Sequence, residues 1–109
     1  MNRRLDFLTN EFHFGVNLTV RSGSKWADAR PGDLLDVYKT GGDVPLLTAE
    51  VVEVIVTSRD NITDADLVNE HSPSCTTVAG LSVAMEAAYG PNWGPEVVLL
   101  SFKIVDLVA

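Results

Sequence analysis

The run of residues 45–58 constrains the fold more than any other stretch. In an extended chain Leu47, Ala49 and Val51 share one face while Val52, Val54 and Val56 share the other, so the apolar side changes near Glu53. A strand this long changes face by bending or bulging, as it does when it passes from one sheet to another. Such strands build small barrels. Residues 34–39 supply its hairpin partner through the turn Thr40-Gly41-Gly42-Asp43. The chain closes on a further strand, with Val98, Leu100, Phe102 and Ile104 facing one way and Ser101 and Lys103 the other.

Residues 15–33, GVNLTVRSGSKWADARPGD, begin with a short alternating strand. Over 17–21, Leu18 and Val20 take the face that joins a core, and Asn17, Thr19 and Arg21 present amide, hydroxyl and guanidinium on the other. Ser22-Gly23-Ser24 is a flexible turn, Lys25-Trp26 follows, and Arg30-Pro31-Gly32-Asp33 turns again. Upstream, Thr9 or Asn10 caps one short helical turn through Phe14, and Leu5, Phe7, Phe12 and Phe14 enter the core. Downstream, Thr63-Asp64-Ala65-Asp66 has the form of a capping box opening a helix through His71, stopped by Pro73. Thr76 or Thr77 caps a second helix, in which Val78, Leu81, Ala84, Met85 and Ala88 recur at helical spacing up to Tyr89 and Gly90. The order predicts one α+β domain over residues 1–109, a small mixed β-barrel with two or three flanking helices.

A chain of 109 residues buries a core without staples, and no apolar run reaches the length of a bilayer span. Charge at Asp6 and Glu11 interrupts any signal-peptide core, and a single cysteine, Cys75, excludes an internal disulfide; both predict a cytoplasmic protein. The net charge of -7 argues against generic binding of duplex nucleic acid. Residues 15–39 nevertheless carry Arg21, Lys25, Arg30 and Lys39 against Asp28, Asp33 and Asp36, which leaves room for a nearly neutral or weakly positive cleft on a body whose acidity otherwise serves solubility. No metal or cofactor is expected. His71 and Cys75 fall short of a zinc ligand set, Asp60, Asp64, Asp66 and Glu70 lack the glycine and terminal glutamate of a calcium loop, and no phosphate-binding glycine loop is present.

The pattern G-x-x-x-T-V-R at Gly15 to Arg21, the pair Lys25-Trp26, the Pro31-Gly32-Asp33 turn before a strand, the helix ending in Tyr89-Gly90 and the closing strand with Phe102-Lys103 together resemble the ASCH domains. These belong to the PUA-like superfamily. The resemblance covers residues 5–105 and implies a PUA-like β-barrel with a cleft beside strand 17–21, proposed in the family to bind RNA or nucleotides. Some small bacterial members are amidohydrolases acting on N4-acetylcytidine with a Lys, a Thr and a Glu, and others are described as single-strand ribonucleases. On this chain the Thr falls on Thr19 and the Lys on Val16, so the lysine is missing. The Glu falls near Ser74, and Glu70 is the nearest carboxylate.

The residues support three hypotheses. A binding module would use Asn17, Thr19, Arg21, Lys25, Trp26 and Arg30 on RNA, a nucleotide or a modified nucleoside, the cations on phosphate and Trp26 stacked on an unpaired base. Against that stands a structural role for Trp26 at one end of the barrel, with the cations paired to Asp28, Asp33 or Asp36. An enzyme on the same cleft would rely on Thr19 and Glu70, yet a hydroxyl nucleophile needs an activating base and none adjoins Thr19 in sequence. A small adaptor would use the acidic surface to engage a basic protein partner.

Overall fold

The computed structural model describes residues 2–8 and 11–107. Its strands β1 (Arg3–Phe7), β2 (Val16–Ser22), β3 (Leu34–Lys39), β4 (Leu47–Ser58) and β5 (Glu96–Leu107) form one sheet in the order β1-β3-β4-β5-β2. β1 runs parallel to β3; the other three pairings are antiparallel. β5 is the hub. It buries Val98, Leu100 and Phe102 in a core shared with Leu5, Phe7, Leu35, Val37 and Val51, and Val97 and Leu99 in a second core with Leu18, Val20, Leu81 and Met85.

The change of apolar face in β4 is a β-bulge. Val51 opposes Phe102, Glu53 opposes Ser101 and Val54 opposes Leu100, which leaves Val52 as the extra residue. Val54 consequently returns to the side of Val51 and packs on the first core, while Val52 is exposed. The switch is absorbed within one sheet. No crossing to a second sheet takes place among the described residues.

The expected closed barrel is corrected to an open sheet. β1 and β2 are its two edges, with no ladder between them among the described residues. The outer edge of β2 is already occupied: the Leu18 N–H donates to the Asn69 carbonyl at 2.7 Å, and the His71 N–H donates to the Leu18 carbonyl at 2.9 Å. With both backbone groups of Leu18 taken, the middle of that edge is not open to a ladder with β1. Among the described residues the edges meet through side chains, the Arg21 guanidinium lying 4.7 Å from the Phe7 ring centroid.

The same hydrogen bonds explain why the first predicted helix is absent. Thr63 and Asp66 do form the capping box, but the helix is a 3-10 turn over Asp64–Leu67. Beyond it residues 68–69 turn and Glu70 forms a single parallel bridge to Leu18, because the Asn69 carbonyl and the His71 N–H, which would continue a helix, are taken by the edge of β2. Two further 3-10 turns cover Arg59–Asn61 and Pro73–Cys75, and the one α-helix among the described residues is α1 (Val78–Tyr89). Thr77 caps it, accepting from the Gly80 N–H at 3.1 Å, and Leu81 and Met85 face the second core. No helix among the described residues is long and apolar enough to cross a membrane.

The N-terminal helical turn is likewise corrected. Residues 3–7 form β1, because Leu5 and Phe7 alternate with Arg4 and Asp6, and residues 11–14 are not helical; Thr9 and Asn10 lie outside the described residues. Phe12 packs against the core, but Phe14 is fully exposed.

Candidate functional site

An open cleft of about 580 Å³ lies where the ends of β1 and β2 converge beneath α1. Phe7, Thr19 and Arg21 line it from the sheet, Glu70, His71, Ser72, Ser74 and Cys75 from one side, and Leu81, Met85 and Tyr89 from the helix. The alternation of β2 puts Thr19 and Arg21 on one side, two residues apart. The Arg21 Nε–H donates to Thr19 Oγ1 at 3.0 Å, which orients the guanidinium across the cleft. Burial lowers the Arg21 pKa, opposed by Tyr89, Glu70 and Asp6; an arginine stays charged under such conditions. Among the described residues Arg21 forms no ion pair.

Glu70 reaches the cleft because residues 69–71 follow the edge of β2. It is 4 % exposed. Burial pushes its carboxyl up to about 7, against the pull of the Ser72 N–H and the Arg21 charge. Oε1 lies 3.1 Å from His71 Nε2 and accepts the Ser72 N–H at 3.3 Å. The other ring nitrogen of His71, Nδ1, is 2.9 Å from the Glu11 carbonyl oxygen. Burial lowers the His71 pKa and the Glu11 carbonyl opposes that shift.

Residues 11–13 form a strap over this pair. Ser72 Oγ donates to Glu11 Oε1 at 3.1 Å, and His13 Nδ1 and Nε2 each lie 3.0 Å from a carbonyl oxygen, those of Phe14 and Asn69. Two facing carbonyls favour the doubly protonated ring, and the His13 pKa is raised, chiefly by the Phe14 carbonyl. Asn17 anchors the strap: its Oδ1 accepts the His13 N–H at 3.0 Å and its Nδ2 donates to the His13 carbonyl at 2.9 Å.

Of the residues singled out from sequence, Thr19, Arg21 and Glu70 come together in the cleft. Asn17, Lys25, Trp26 and Arg30 do not line it. Asn17 is fully buried beneath the strap, and Lys25 and Arg30 are exposed in the turns after β2, the Arg30 N–H donating to Asp33 Oδ2 at 2.9 Å. Trp26, proposed to stack on a base, is 4 % exposed in the first core, and Arg3 covers its ring at 4.1 Å. It has no free face to offer. Val16 opens β2, and no lysine lines the cleft. His71, Glu11, Ser72 and Tyr89 were not recognisable as cleft residues; the available signal was the adjacency of His71 to Glu70, which acquires meaning only once residues 69–71 pair with Leu18. Cys75 lines the cleft too, but burial raises its thiol pKa and so suppresses the reactive thiolate. Among the described residues no three His, Cys, Asp or Glu side chains are grouped to hold a metal ion.

No protein-family model matches the chain, and no curated protein matches it. Solved structures do. An ASCH domain from Lactobacillus crispatus JV V101 superposes with a TM-score of 0.62 at 13% sequence identity, covering 83% of this chain and 64% of its own. A DUF984 protein from Enterococcus faecalis V583 superposes with a TM-score of 0.58 at 16% identity, covering 84% of this chain and 61% of its own. The fold is therefore ASCH-like, and the chain spans a little under two thirds of the length of either structure.

Proposed function

We propose that this chain is an ASCH-like binding module whose cleft takes a nucleoside or nucleotide, free or at the end of a single-stranded RNA. Arg21 carries the reading: a guanidinium held in the cleft by Thr19, with no ion-pair partner among the described residues. The Phe7 ring already covers the guanidinium at 4.7 Å, so the group it lacks is an anion, since a half-buried charge without a counter-charge is costly. Leu8 and Tyr89, both exposed where they line the cleft, offer surface to a planar ring, Thr19 and Glu70 offer polar contacts to its edge, and the volume falls within the ordinary range for small-molecule sites. An acidic body around one cation disfavours long duplexes and tolerates a small ligand.

Titration with cytidine, N4-acetylcytidine, cytidine monophosphate and a short single-stranded RNA, followed by NMR and thermal shift, tests this. Resonances of Thr19, Arg21, Glu70 and Tyr89 should move. Arg21→Ala should weaken monophosphate binding about tenfold or more, the effect of losing a charge-assisted bond of ~1.5–3 kcal/mol. A ligand that perturbs Lys25, Trp26 and Arg30 but leaves the cleft unchanged would overturn the placement.

A second reading, hydrolysis at the same cleft, is favoured by the position of Glu70 with its carboxyl held near 7. Against it, Thr19 Oγ1 accepts a bond from Arg21 and no lysine lines the cleft. Product formed in the same titrations, and lost in Glu70→Gln, would select hydrolysis over simple binding.

A further inference from the structure

Three nitrogen and oxygen atoms beneath the strap are placed so that their protons can be counted. His71 Nδ1 lies 2.9 Å from the Glu11 carbonyl, which can only accept, so Nδ1 carries a hydrogen. Nε2 lies 3.1 Å from Glu70 Oε1. Were His71 neutral and Glu70 ionised, two lone pairs would face each other there; one proton between the atoms turns the contact into a hydrogen bond. Oε1 also accepts the Ser72 N–H, whereas Oε2 takes no hydrogen bond among the described residues. The carboxyl is thus tied at one oxygen and free at the other.

We propose that Glu70 and His71 hold a single proton between Oε1 and Nε2 and serve the cleft as a relay base, with Oε2 as the atom that meets the ligand. The proposal deepens the cleft reading by naming the ligand's complementary group, an O–H or N–H donor, of which water is the simplest. In the relay the donor's X–H bond breaks as its proton reaches Oε2. The Oε1–H proton passes to Nε2, leaving a carboxylic acid, an imidazolium steadied by the Glu11 carbonyl, and X⁻ facing Arg21. Proton and charge balance without any co-reactant. His71 is the terminal base, and the Glu11 carbonyl positions it by fixing its tautomer.

The charged and titratable groups around the pair come from every neighbouring element. They are Glu11 and His13 on the strap, Asp6 on β1, Arg21 on β2, Cys75 and, on α1, Tyr89. Arg21 favours the carboxylate and the neutral imidazole, Glu11 favours the imidazolium, and burial disfavours either ion. Two opposed environments around one proton are what a base active near neutrality requires.

The test uses the pure protein without ligand, so it can fail independently of the titrations above. With histidine labelled in ¹⁵N and glutamate in ¹³C, NMR is recorded from pH 5 to 9. The expected result is an Nδ1 of His71 protonated at every pH, with His71 Nε2 and the Glu70 carboxyl carbon shifting at one common midpoint near 7. Glu70→Gln should abolish that step while the Nδ1–H tautomer persists, because the Glu11 carbonyl still requires a hydrogen on Nδ1. A bare Nδ1, or midpoints for the two groups more than about one pH unit apart, would overturn the proposal. Both are read from the wild type, so neither outcome depends on the variant folding.

Discussion

A carboxyl that burial holds near 7, against an ordinary 4.5, couples the stability of the whole chain to pH through Glu70. Below 4.5 the group is protonated in the folded and the unfolded chain alike and contributes no slope. Between 4.5 and 7 the unfolded chain has released a proton that the folded chain keeps, so stability falls as pH rises, and above 7 the loss is complete. At about 1.4 kcal/mol per pH unit the loss is on the order of 3 kcal/mol. His13, raised, adds stability that is full below 6.5 and disappears as pH rises through its folded value; His71, lowered, acts in the opposite sense. Both are present in wild type and Glu70→Gln. Urea denaturation of the two proteins from pH 4.5 to 8 should therefore show the wild type losing ground to the variant, and parallel profiles would reject the buried protonated carboxyl. Thr19 and Arg21 were legible because a period of two suffices to place them on one face. The same rule grouped Asn17 with them, and only its two hydrogen bonds to His13 separate it.

Elements were legible where the local pattern had no competitor. The face change in β4 announced its bulge, and Thr77 through Gly90 announced α1, because caps and periodicity lie within the segment itself. The capping box at Thr63 promised a helix as clearly, yet the free edge of β2 claimed residues 69–71, a contact some fifty residues away in sequence that no local signal encodes. Gly80 tests how tightly the neighbouring elements are held. A Cβ there would collide with the Ser74 carbonyl oxygen in the middle of the Pro73–Cys75 turn, so α1 sits against the cleft wall with only a hydrogen between them. Alanine is the better helix former by about 1 kcal/mol, and in a free helix the exchange would stabilise. Here overpacking should prevail, with Gly80→Ala losing roughly 1–3 kcal/mol in chemical denaturation as α1 moves off the turn. A more stable variant would mean that helix and turn separate without cost.

At the scale of the molecule the sheet has a firm centre and a weak margin, and the cleft sits on the margin. β5 is paired on both sides and, over residues 97–100, buried on both faces, whereas β1 has one partner strand and five residues. Native-state hydrogen exchange should accordingly be slowest in the middle of β5, where amides open only with global unfolding, and faster in β1, which can detach alone. A ligand slows an amide only if the opening that exposes it destroys the site. At a hundred times Kd the protection of β5 should rise roughly a hundredfold, since global unfolding abolishes any site. The response of β1 is the informative one. If the ligand lies against Arg21 where that guanidinium packs on Phe7, detaching β1 removes a wall of its site, and β1 amides should slow by a factor approaching that of β5. If β1 exchanges at its ligand-free rate while β5 slows, binding tolerates the loss of β1, and the ligand occupies some other part of the surface than the place where the two edges meet.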